Sequence, residues 1–232
     1  MITVSNIKKS FGRLQVLDDI SFKVDKGGII AILGPNGSGK TTFLKILLGM
    51  VIADGGKILY QEKDISKSHE YRKHIGYLPQ IARFPDNLKV REVIHMIADV
   101  RNEPSNPEDL IKLFGLESFL DKNLGNLSGG TRQKVNIVLT FMFDTPVIVL
   151  DEPTAGLDPV SLIKLKDLIN KAKAAGKIIL ITSHIMSLVE ELADEVIFLL
   201  EGNIYFKGTP QELKSRTGSE DLEHAIAAIL ES

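Results

Sequence analysis

The 232-residue sequence predicts an α/β protein, a mostly parallel sheet covered by helices with a helical lobe inserted into it. Three observations carry that prediction. Apolar runs of strand length alternate with helical stretches early and late in the chain. One such run ends in a glycine-rich loop that opens a helix. Between about Pro79 and Thr145 the apolar spacing changes to that of helices. The length suits one large domain, or one domain carrying an inserted lobe.

The elements follow in order. Residues 1–30 read as short strands, and Ile20, Phe22 and Val24 alternate with polar residues. Ile29–Leu33 is continuously apolar, the pattern of a buried strand. A helix is expected from Lys40 to Leu48, stopping at Gly49. Lys57–Tyr60 and Ile75–Leu78 are further strands. Helical spacing then links Val90, Val93, Ile94 and Ile97; Leu110, Leu113 and Phe114; and Val135, Val138 and Leu139. A polar, proline-containing break falls at Asn102–Pro107. Strand and helix alternate again over Val147–Leu150, Leu162–Ala175, Ile178–Thr182, Met186–Ala193 and Val196–Leu200. Gly202-Asn203 turns the chain into Ile204–Phe206. Asp221–Leu230 reads as an amphipathic helix with Leu222, Ile226 and Ile229 on one face, expected to pack on the domain.

Hydrophobic residues make up 44% and charged residues 25%, an ordinary globular composition that argues against disorder, collagen and coiled coil. Lys plus Arg number 28 and Asp plus Glu 30, a net charge of −2, which argues against binding nucleic acid through bulk positive charge. There is no cysteine, so disulfides, thiolate metal sites and a cysteine nucleophile are excluded. The amino terminus lacks a basic region followed by an apolar core, so no signal peptide is expected. No stretch approaches the roughly 18 apolar residues of a membrane span. Any membrane role is expected to run through a partner.

The chemistry starts at Gly34-Pro35-Asn36-Gly37-Ser38-Gly39-Lys40-Thr41, followed by Thr42, which matches G-x-x-x-x-G-K-[ST] between a strand and a helix. Glycines let successive N–H groups turn toward an anion, and the helix start adds its positive end. Lys40 brings a full charge to the β- and γ-phosphates of a nucleoside triphosphate, and the Thr41 hydroxyl can ligate Mg²⁺. A second signal is the apolar strand Val147–Leu150 ending in Asp151 and Glu152. In a parallel sheet the carboxyl ends of the strands gather at the ligand-binding edge. Asp151 can then hold Mg²⁺, directly or through water, and Glu152 can take a proton from an attacking water.

Further elements stand in a recognisable order. Leu127-Ser128-Gly129-Gly130-Thr131 is similar to the signature L-S-G-G-Q. Ala155-Gly156-Leu157-Asp158 follows the acidic strand, His184 follows Ile181-Thr182-Ser183, and Gln80 follows Tyr77-Leu78-Pro79. With the phosphate loop, the set resembles the ATP-binding subunits of ABC transporters from about residue 2 to residue 215. The one departure is Thr131, where the family usually has Gln. The string Leu127–Lys134, with Phe143-Asp144 and Asp151–Val160, is similar to subunits associated with copper handling and nitrous oxide reductase maturation.

The resemblance implies a P-loop NTPase fold: a RecA-like, mostly parallel core, an antiparallel β subdomain and an inserted α-helical subdomain. Residues 1–80 and 146–215 are expected to form the α/β core with its N-terminal β subdomain, 81–145 the helical subdomain and 216–232 a C-terminal helix, together one domain. ATP and Mg²⁺ are the implied cofactors. Phe11 is implied to stack on adenine, Gln80 to ligate Mg²⁺ with Thr41 and Asp151, and His184 to sense the γ-phosphate. By itself Ser128-Gly129-Gly130 is a helix cap with bare N–H groups. The resemblance makes it a second anion site, contacting ATP held by the phosphate loop of another copy in a head-to-tail dimer. Asp158 is implied to work at that dimer interface. A separate integral-membrane permease is the implied partner, and the subunit is expected in the cytoplasm, peripheral on the inner face of the cell membrane. The dimer is expected to form from two copies, or from one copy and a related cassette. A soluble ABC-type ATPase acting on nucleic acid or ribosomes usually carries two cassettes or a long coiled-coil insertion, and this chain has neither. A P-loop kinase would lack Ser128–Gly130 and His184, and a switch GTPase would also need the absent N-K-x-D.

Overall fold

The computed structural model describes residues 1–231, which divide into two compact units. The first comprises residues 1–72 and 178–231, and the second Lys73–Lys177.

In the first unit, β1 (Ile2–Phe11) and β2 (Leu14–Val24) form a long antiparallel hairpin. The short strands expected over residues 1–30 are thus two strands of 10 and 11 residues. Register shifts between Val4 and Ile7 and again around Lys9 interrupt the alternation, and Asn6 and Asp19 take positive φ. Bulges of this kind hide a long strand from a period-two reading. β3 (Gly28–Leu33) is buried at every position and leads into α1 (Lys40–Leu47). α1 places Phe43 against Phe22 of β2, ring centres 5.3 Å apart. β4 (Gly55–Tyr60) and β5 (Lys63–Asp64) complete an antiparallel sheet in the order β2-β1-β4-β5.

The second unit contains β6 (Ile75–Leu78), α2 (Val90–Arg101), α3 (Glu108–Phe114), α4 (Gly129–Phe141), β7 (Val147–Asp151) and α5 (Pro159–Ala174). β6 and β7 pair in parallel from Ile75↔Val147 to Leu78↔Leu150. The helical run expected between 79 and 145 thus shares its unit with two parallel strands and α5. α5 starts three residues before the expected Leu162, because Asp158 caps it and Pro159 occupies its first position.

The chain returns to the first unit with β8 (Ile178–Thr182), α6 (Met186–Leu192), β9 (Glu195–Leu200) and β10 (Asn203–Gly208). β3 runs parallel to both β8 and β9, and β10 folds back antiparallel on β9. Side chains buried on both faces of β3, β8 and β9 explain their continuous apolar sequences. α7 (Pro210–Thr217) was not expected from apolar periodicity. It is set by a capping box, with Thr209 and Glu212 exchanging bonds and Pro210 at the first position. α8 (Leu222–Leu230) packs on α6 and α7 through Leu222, Ala225 and Ile229, so Ala225 replaces Ile226 on the expected face. Among the described residues no helix is long and apolar enough to cross a membrane.

Candidate functional site

The phosphate-binding motif lies between β3 and α1, wholly within the first unit. Two glycines have steric reasons. A Cβ on Gly34, at φ 146°, would lie 2.2 Å from the Leu199 carbonyl oxygen. One on Gly39, at φ 100°, would lie 2.4 Å from Leu17 Cδ2. Gly39 is also the N-cap of α1 and provides no side-chain cap. The first N–H groups of the helix are therefore left for a ligand, at its positive end. Lys40 is 8% exposed, and its ammonium donates to the carbonyls of Gly34 at 2.7 Å and Pro35 at 3.0 Å. Ser38 Oγ is buried with no hydrogen-bond partner, an orphan polar atom inside the same loop. Thr41 and Thr42 follow, both half-buried, and Pro35, Asn36 and Gly37 form the outer part of the turn. Main-chain donors, a buried ammonium and a spare hydroxyl make an anion cradle.

The same unit carries Phe11 and His184. Phe11 ends β1 and is 52% exposed, and Lys9 Nζ lies 5.2 Å from its ring centre. A flat apolar surface left in solvent suits stacking on a planar base. His184 follows β8 and is exposed, in a turn where Ser183 Oγ accepts from Ile185 N at 3.0 Å.

The second unit carries Gln80, Ser128, Gly129, Gly130, Asp151 and Glu152. Asp151 ends the fully buried β7 and is 3% exposed. The Tyr77 phenol is pushed up to about 12, first by burial and then by the charge of Asp151. Glu152 holds φ at 51°, left-handed backbone that costs a non-glycine residue roughly 1–2 kcal/mol. Gln80 is exposed just beyond β6. Ser128 caps α4, its Oγ accepting from Thr131 N at 3.2 Å and lying 2.9 Å from Thr131 Oγ1. The helix-cap reading of the signature is therefore present in the structure, on an exposed residue.

Sequence reasoning assigned no role to the polar inner face of α4. Gln133 Nε2 donates to the Pro153 carbonyl at 2.9 Å, in the loop after Glu152. Thr140 Oγ1 donates to the carbonyls of Asn136 and of Tyr77 on β6. Lys134 pairs with Asp158 at 2.7 Å, while Ser161 donates to Asp158 through both N and Oγ. These bonds, the hydrogen bond from Lys134 first, hold the Asp158 carboxyl well below the usual carboxylate range. A Cβ on Gly130 would lie 2.3 Å from the Gly156 carbonyl oxygen, so the signature and the loop after the acidic strand touch backbone to backbone. The legible signal was a helical spacing of polar residues, Gln133, Asn136 and Thr140, on one buried face.

In the first unit Thr41 carries a hydroxyl, and in the second Gln80 and Asp151 carry amide and carboxylate oxygens, each a hard donor of the kind that suits Mg²⁺. Among the described residues no group of three or more His, Cys, Asp or Glu could hold a metal by itself.

Comparisons with known proteins show which family the chain resembles. A family model described as ABC transporter matches residues 17–155. The lantibiotic transport ATP-binding protein SrtF of Streptococcus pyogenes is 33% identical over 96% of this chain and 94% of its own length. The lipopolysaccharide export system ATP-binding protein LptB of Escherichia coli is 33% identical over 91% of this chain and 92% of its own. A solved ATP-binding subunit of an ABC transporter superposes with a TM-score of 0.91 at 28% identity, covering 98% of both chains.

Proposed function

The chain belongs to the ABC transporter family as an ATP-binding and ATP-hydrolysing subunit, and from that premise we propose how its residues divide the work. The observation that carries the assignment is the anion cradle at α1, with Gly39 leaving the helix start uncapped and Lys40 buried across the loop. Gly34–Thr42 hold the triphosphate, Lys40 neutralises the β- and γ-phosphates, and Phe11 stacks on adenine. Thr41, Gln80 and Asp151 would hold Mg²⁺. When bound, Mg²⁺ neutralises charge on the β- and γ-phosphate oxygens.

Hydrolysis is an in-line displacement. Water attacks the γ-phosphorus, the bond from that phosphorus to the β–γ bridging oxygen breaks, and ADP leaves. Glu152 orients the water and takes its proton. Its left-handed backbone supports this role, since local strain persists where geometry is needed for chemistry. His184 contacts the γ-phosphate and distinguishes ATP from ADP.

Ser128–Gly130 contact the nucleotide of a second copy, or of a related cassette, so that ATP closes a head-to-tail dimer and hydrolysis reopens it. The helical subdomain, residues 81–145, passes this change to a separate integral-membrane permease through the segment from Gln80 to Leu88. The subunit then works at the inner face of the cell membrane, and the cargo is recognised by the permease. A net charge of −2 and relatives that serve transport favour this over action on nucleic acid.

The test is Glu152→Gln. Steady-state turnover should fall by about 10²–10⁴, the range for a general base, while ATP affinity is unchanged. Near-normal turnover would remove Glu152 from the mechanism.

A further inference from the structure

The hydroxyl of Ser128 is committed on two sides. A serine hydroxyl has one proton to give and two lone pairs to receive. One lone pair takes the Thr131 N–H at 3.2 Å, the cap of α4. Thr131 Oγ1 lies 2.9 Å away on the same oxygen, and either hydroxyl could donate across that contact. Among the described residues Ser128 is the partner of the Thr131 hydroxyl, which sits half-buried at the third position of the helix, while Ser128 is exposed.

An incoming phosphate resolves the ambiguity. Ionised phosphate oxygens only accept, so Ser128 must turn its proton outward to meet them. Its second lone pair then receives the Thr131 proton, and both hydroxyls are satisfied at once. We infer that Thr131 is a positioning residue, whose hydroxyl fills the remaining acceptor site of Ser128 and leaves it a pure donor toward the γ-phosphate of ATP held by the second copy. The inference rests on the proposed head-to-tail reading of Ser128. A Thr O–H to Ser O–H to phosphate chain strengthens each link by polarisation. Thr131 thus replaces the family's usual Gln with a group that acts through Ser128 and does not itself reach the nucleotide.

The test uses the full chain in a Glu152→Gln background, so that ATP is not consumed. Three quantities are measured: ATP affinity of the dilute single copy, the dissociation constant of the Mg·ATP-dependent pair by sedimentation, and the melting temperature. Thr131→Val removes the hydroxyl and keeps the branched shape. It should weaken pairing about fivefold to tenfold, the value of one hydrogen bond, with single-copy ATP affinity unchanged. Thr131→Ser should restore pairing to within about twofold of the parent. Ser128→Ala should weaken pairing at least about tenfold, as for a bond to a charged group, and Thr131→Val should add nothing to it.

Parent-like pairing in Thr131→Val beside a weakened Ser128→Ala overturns the role of Thr131 and leaves that of Ser128. Parent-like pairing in Ser128→Ala overturns both. Equal losses in Thr131→Ser and Thr131→Val, or a full further loss from Thr131→Val on top of Ser128→Ala, show that Thr131 acts by packing and overturn the inference. A parent that stays single in saturating Mg·ATP overturns the head-to-tail reading and the inference with it.

Discussion

The helices α1 and α4 both begin with glycine and serine in loops suited to anions, yet their starts are built in opposite ways. α1 begins at Gly39 with no side-chain cap, and the ammonium beside it is buried on the loop's own carbonyls. α4 begins at Ser128, whose hydroxyl caps the helix and stays exposed. The first start leaves its donors for a ligand and has the charge to hold one alone. The second is content without a ligand and offers a neutral hydroxyl to whatever arrives. A helix start can thus be a primary or a secondary phosphate site depending on its cap and on whether a cation accompanies it.

The contrast breaks most sharply at Lys40. Lys40→Ala should lower ATP affinity of the single copy by about 10³-fold, because bonds from a charged donor to two phosphates are lost. Calorimetric titration checks this, and a loss under about tenfold would make the two starts alike. Next comes Gly39→Ala, which forces a side chain into left-handed backbone and against Leu17. A loss of about 3 kcal/mol in denaturant unfolding is expected from strain and overpacking together. Ser128→Ala should cost only about 1 kcal/mol of stability as a lost cap, with ATP affinity of the single copy intact. A drop in that affinity would place Ser128 on its own subunit's nucleotide and erase the distinction.

The smallest effect concerns the loop that α4 holds. Asp158 has its pKa lowered, by the hydrogen bond from Lys134 first and then by those from Ser161. A depressed carboxylate contributes stability above its unfolded pKa and loses it as pH falls through the folded value. The melting-temperature gap between the wild type and Asp158→Asn should be constant above roughly pH 5. It should shrink only as pH drops below the ordinary 3.8. A gap that varies between pH 6 and 8 would show that another group controls the loop.

Much of this was legible in the residue order, because local patterns set local structure. The run Ile29–Leu33 before Gly34 announced a buried strand and a phosphate loop, and Val147–Leu150 before Asp151 announced the acidic one. Elements without a continuous apolar stripe were harder. α7 buries Leu213 alone among its residues, so only the Thr209–Glu212 cap pattern could reveal it. The full length of the β1 and β2 hairpin was hidden by bulges that reset the alternation. In the site, residue types were readable but partners were not. Nothing local to Gln133 points to the Pro153 carbonyl 20 positions on, and nothing in Glu152 itself announces φ of 51°. Such features depend on which backbone atoms the folded chain brings near.

The two carbonyls that hold Lys40 also bear on how quickly nucleotide comes and goes. If Lys40 meets polyphosphate as proposed, a cation already seated in its loop needs no search through rotamers; it exchanges one set of oxygens for another. Much of the ordering entropy of that long side chain is then lost at folding and not at each encounter. On the proposed reading, the same oxygens are there to take the ammonium back when the product departs.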